Sequence, residues 1–149
     1  MRARALAYWS NRLAAGEEAP DRSGFKGELG SIGQWCDHHH LEPEWLFDQM
    51  LRLLRLGFEP SLAYSVVEWL AKIGAAHPDR AVEVLEGRVT NPNADRYMIG
   101  QEQSIRTVLV GGRDHGVPPT IARVGEIVSY LASIGQTGYL DVVCPPPAA

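Results

Sequence analysis

Long apolar runs are missing from this sequence. No stretch approaches the roughly eighteen consecutive apolar residues of a membrane helix, so no membrane association is expected. The N-terminus, Met1-Arg-Ala-Arg-Ala-Leu-Ala-Tyr-Trp-Ser10, has basic residues but no apolar core segment, so it does not read as a signal peptide. Cysteine is scarce: Cys36 and Cys144 are too few for a disulfide framework, and a reducing, cytoplasmic setting is the simpler expectation. Lysine is scarce too, with Lys26 and Lys72 the sole examples among 14 basic residues. The formal net charge of −4 argues against nucleic acid as a partner, because phosphate neutralisation dominates that affinity. Also missing are G-x-x-x-x-G-K-[ST], G-x-G-x-x-G and G-x-S-x-G. The backbone cradles for phosphate and the nucleophile elbow therefore have no sequence support. The expectation is a non-catalytic protein with no cofactor.

What is present is helical patterning. The 149 residues are 45% hydrophobic and 21% charged, which is ordinary for one globular domain able to bury a core. The pattern runs over 1–143, and the proline-rich 144–149 reads as a flexible tail. The clearest stretch is Pro43 to Gly57 followed by Pro60 to Gly74. Each half opens with proline, which suits the first helical position, and closes at glycine, which accepts the left-handed C′ conformation. Trp45, Leu46, Met50, Leu53 and Leu54 share one face, and Leu62, Val66, Trp69, Leu70 and Ile73 another. The short connection predicts an antiparallel hairpin.

The remaining helices are expected at 3–15, 25–36, 79–89, 94–110 and 120–134, with a short cap at 139–143. The 94–110 segment has a polar middle, Gly100-Gln-Glu-Gln-Ser104. Gly111 to Pro119 reads as a loop. Gly27, Gly30 and Gly33 each cost a helix about 1 kcal/mol relative to alanine, so a strip that admits a close neighbour is expected there.

An internal repeat is visible. At an offset of 34, Ile32 meets Val66 and Trp35 meets Trp69. At an offset of 35, Pro43 meets Pro78, and Leu46, Phe47 and Met50 meet Ala81, Val82 and Leu85. Paired helices near this period mark an α-solenoid. The expected fold is therefore all-α, with antiparallel helical hairpins stacked as a short HEAT-like solenoid. Trp35 and Trp69 should be equivalent and both mostly buried.

Trp9-Ser-Asn-Arg-Leu13 at the start, and Val128-Ser-Tyr-Leu-Ala-Ser-Ile-Gly135 with Tyr139-Leu-Asp-Val142 at the end, give the chain a resemblance. It resembles the C-terminal HEAT-like region of large bacterial signalling or defence proteins. The resemblance implies a helical scaffold for protein–protein interaction, part of a larger system. It carries over no catalytic residue.

The residues with chemistry to offer are few. Cys36-Asp37-His38-His39-His40 contains zinc-ligand types, but only Cys36 and His40 have the i, i+4 relation that places two on one helical face. Further ligands would have to come from His77, His115 or a carboxylate. No metal site is assigned. The alternative function uses this region and the 111–116 loop, Gly111-Gly-Arg-Asp-His-Gly116, as a small metal-dependent or hydrolytic module. Arg52, Arg55, Arg80 and Arg88 offer a basic stripe, but the interleaved Glu44, Asp48, Glu83 and Glu86 predict a solvated mixed-charge face instead. Trp9, Trp35, Trp45 and Trp69 read as core anchors. A protein partner is expected, and a homo-oligomer is compatible with the pattern.

Overall fold

The computed structural model describes residues 2–36, 41–94 and 98–144. These residues form eight α-helices and three short 3-10 turns, with no strand among them. The helices are α1 (Arg2–Glu18), α2 (Lys26–Gly30), α3 (Pro43–Arg55), α4 (Ala63–Ile73), α5 (Pro78–Val89), α6 (Glu102–His115), α7 (Pro118–Ser133) and α8 (Leu140–Val143). The all-helical expectation holds. Helices α3, α5 and α7 each begin at a proline, whose missing N–H is one that a helix start leaves unbonded anyway.

Packing alternates along the chain. α1 packs on α3, α3 on α5 and α5 on α7. On the other side, the 3-10 turn Ser31–Trp35 packs on α4, α4 on α6 and α6 on α8. Between these two rows lies one continuous apolar core. It includes Leu13, Leu29, Ile32, Phe47, Val66, Val82, Leu109 and Leu131, all shielded from solvent. The pairs Ile32 and Val66, Leu46 and Ala81, Phe47 and Val82, and Met50 and Leu85 are all buried, as their register demands.

Several expectations need correction. The 25–36 helix is broken: α2 is flanked by 3-10 turns at Ser23–Phe25 and Ser31–Trp35. The glycines explain part of this. A Cβ on Gly33 would stand 1.7 Å from the Ser61 carbonyl oxygen, and one on Gly30 would stand 3.2 Å from that of Glu59. The Ser61 N–H donates to the Gly30 carbonyl at 2.7 Å. So the close neighbour is the 59–61 backbone rather than a helix, and Gly27 meets nothing.

That contact also delays α4. Pro60 does not open the helix: Ser61 is committed to Gly30, Leu62 adopts a left-handed φ of 54°, and the helix starts at Ala63. The tight α3–α4 hairpin is lost in consequence. The main partner of α3 is α5, while Phe47 and Trp69 keep a ring contact between α3 and α4 at 5.0 Å. Gly57 takes the expected left-handed conformation, with φ 77°. Gly74 is right-handed instead, and its Cβ would sit 2.7 Å from the Leu70 carbonyl.

Helix α6 starts late and ends late. Gly100, at φ 81°, holds the chain out of helix until Glu102, and Asp95 to Tyr97 lie outside the described residues. Gly111 to His115 are helical, so the expected loop does not exist there. Gly112 is an inward contact: its Cβ would meet Val82 at 2.3 Å and Val124 at 3.0 Å. α7 begins one residue earlier than Pro119, and the 139–143 cap is the helix α8 preceded by a 3-10 turn.

Candidate interaction face

Three arginines make ion pairs across the α1–α3–α5–α7 row. Arg52 of α3 forks onto Glu17 of α1, with nitrogen–oxygen distances of 2.8 and 2.7 Å. Arg80 of α5 reaches Glu44 at 3.2 Å and also bonds Asp48, both on α3. Arg123 of α7 meets Glu86 of α5 at 2.8 Å. In each case the later helix supplies arginine and the earlier one a carboxylate. The first pair is 35 residues apart, close to the period of the apolar repeat. On the other row Arg106 of α6 pairs with Asp141 of α8, again 35 residues apart.

The pairs are partly exposed, so each contributes at most about 1 kcal/mol after solvent screening. They still shift titrations. The Arg52 fork holds the Glu17 carboxyl below the usual range, and Arg106 does the same to Asp141. Asp79 is lowered for another reason: its Oδ1 accepts the Thr120 hydroxyl at 2.6 Å and the Val117 N–H at 3.0 Å. A side chain at the start of α5 thus ties down the entry to α7.

Two openings lie between α3 and α5. One, of about 360 Å³, includes Leu51, Leu54, Arg55, Asn91 and Arg123 in its lining. The other, of about 270 Å³, is lined by Asp48, Gln49, Leu51, Arg52, Arg55 and Arg80. They share Leu51 and Arg55. Among the described residues Arg55 makes no ion pair, unlike the other arginines lining these openings. Gln49 is 5% exposed, and its Oε1 has no hydrogen-bond partner among the described residues.

The residues singled out from sequence fall as follows. Arg88 is not part of a surface stripe: it is 2% exposed and faces Glu59 at 3.5 Å. Arg52 and Arg80 lie on the mixed-charge face that the interleaving predicted. Cys36 is buried and Cys144 exposed, while Asp37, His38, His39 and His40 lie outside the described residues. His77 sits 3.0 Å from Glu44 Oε1 and beside the Phe47 ring, and His115 is exposed at the end of α6. Among the described residues no three His, Cys, Asp or Glu side chains gather into a metal-holding group. Neither opening described above is lined by Cys36 or by any residue of 111–116. Trp9 and Trp69 are buried; Trp35, expected to match Trp69, is only half-buried and stacks on Trp45 at 6.1 Å. No described helix is long and apolar enough to cross a membrane.

Sequence reading missed the Glu17–Arg52 and Glu86–Arg123 pairs, and with them Gln49 and an Arg55 that makes no ion pair among the described residues. The signal for the first pair was available, since Glu17 and Arg52 stand one apolar repeat apart; Glu86 and Arg123, 37 residues apart, fall outside that spacing. No protein-family model, curated protein or solved structure matches this chain.

Proposed function

We propose that this protein is a non-catalytic helical-repeat scaffold of the HEAT-like kind, which binds a protein partner along the α1–α3–α5–α7 row. The observation that carries the reading is alternate-helix packing bridged at each step by an arginine–carboxylate pair. Stacked repeats of this sort contact mainly their neighbours and present one helix row as an extended surface. Shared burial of Ile32 with Val66, Leu46 with Ala81, Phe47 with Val82 and Met50 with Leu85, 34 or 35 residues apart, supports the same reading. A place in a larger bacterial signalling or defence system is part of the proposal and rests on the resemblance described above.

The test is affinity capture of the tagged full chain from its host, followed by reconstitution from purified components. A stoichiometric complex with one protein is the expected result. Absence of any reconstituted complex, or turnover of a small substrate by the purified chain, would overturn it.

A further inference from the structure

Arg55 differs from every other arginine lining the two openings. Arg52 is neutralised by Glu17, Arg80 by Glu44, Asp48 and Glu83, and Arg123 by Glu86. Arg55 is exposed, belongs to both openings, and makes no ion pair among the described residues; the Glu17 carboxylate, which is forked by Arg52, feels its charge from beyond contact distance. Beside it Leu51 and Leu54 form an apolar floor, and the deeply buried Gln49 carries an oxygen with no hydrogen bond among the described residues.

We infer that this double groove between α3 and α5 docks an extended, largely uncharged segment of a protein partner carrying a single carboxylate, with Arg55 as its anchor. The inference rests on the scaffold reading and names the chemistry of its partner. Size sets the shape of the occupant. A helix is about 10 Å across with its side chains, and two openings of about 360 and 270 Å³ joined at Leu51 and Arg55 suit an extended strand better. Charge sets its composition. Asp48, Glu83 and Glu86 stand around the grooves, so a run of acidic residues or a phosphate backbone is repelled, whereas one carboxylate can reach the lining guanidinium that makes no ion pair among the described residues. Guanidinium and carboxylate meet in a fork of two parallel hydrogen bonds, the strongest pairing either group makes. The Gln49 amide can turn about its last side-chain bond and meet an N–H or C=O of the docked main chain.

The experiment uses the full chain and two immobilised pools of short capped peptides, varied at small and apolar positions. One pool has a fixed central Glu and the other a fixed central Gln. The Glu pool should retain the protein, the Gln pool should not, and added salt should weaken retention. Arg55→Gln should reduce retention roughly tenfold, the size of one charge-assisted hydrogen bond. Lys72→Gln makes the same charge change on exposed α4 and should leave retention intact. Equal retention by both pools, an Arg55→Gln protein that binds as before, or preferential binding of a single-stranded oligonucleotide would overturn the inference. A host partner captured as tightly by the Arg55→Gln protein as by the unaltered chain would also overturn it while leaving the scaffold reading in place.

Discussion

Glu86 and Arg123 meet at 2.8 Å where α5 and α7 touch, 37 residues apart in the chain. Glu17 and Arg52 make the same kind of contact where α1 and α3 touch. The shared polarity, acid first and arginine later, gives the row a direction. A double-mutant cycle on Glu86→Gln and Arg123→Gln should return a coupling of about 0.3–1 kcal/mol that shrinks with added salt. A coupling of zero at low salt would show that the pair is geometrically present but energetically idle.

The glycines of the second segment should separate sharply. Gly33→Ala places a Cβ within 1.7 Å of the Ser61 carbonyl oxygen, which is backbone and cannot swing away. A loss of about 3 kcal/mol or more is expected, at the upper end of overpacking costs. Gly27→Ala meets nothing and should stabilise by about 0.4–1 kcal/mol. Urea titrations of both variants decide this; comparable values would mean the 59–61 segment does not lie on Gly33.

Trp69→Ala should cost about 3–5 kcal/mol, as buried aromatic truncations do. Trp69 is 8% exposed and rests on Phe47. Trp35→Ala should cost less, because that ring is only partly buried between Trp9 and Trp45. Tryptophan fluorescence during denaturation of each variant gives the comparison. The reverse order would place Trp35 deeper than Trp69.

Acid should weaken the fold through identifiable carboxylates. Asp79 and Glu17 titrate below their usual range in the folded chain. Their contribution is present above the unfolded carboxylate value, about 4, and is lost as pH falls through the lower folded values. The melting temperature should therefore drop between about pH 5 and pH 3. Asp79→Asn should lower it at neutral pH and flatten the acid slope. An Asp79→Asn protein with an unchanged slope would show that the Thr120 and Val117 contacts do not form.

Metal is not expected to support folding. Protein purified without a metal column should contain no stoichiometric zinc, and a chelator should leave the melting temperature unchanged. Bound zinc whose removal lowers that temperature would make Cys36 and His40 ligands.

The helices that could be read in the sequence were those whose signals were local. Proline at the first position and apolar spacing placed α3, α5 and α7 within two residues of their observed starts. What could not be read depended on distant backbone. Pro60 and Gly74 look like helix punctuation, yet the start of α4 is decided by the Ser61 hydrogen bond to Gly30. Gly111 and Gly112 look like a loop because glycine usually marks one, but Gly112 is glycine so that Val82 and Val124 can close on it. Arg88 looked exposed by its charge and is buried against Glu59. The face itself was half legible: the mixed charges were visible, and their pairing across helices became so only with the row in view.

The alternating packing has a kinetic consequence. Among the described residues the main helix–helix contacts join helices one or two steps apart in the chain. Chains rich in such near-neighbour contacts close small loops and fold fast. They can also come apart piecewise, because losing an end helix removes only one set of contacts. Amide hydrogens of α5, covered by α3, α4, α6 and α7, should then exchange last, and those of α1 and α8 first. Stability in this molecule would be a gradient from the middle outward.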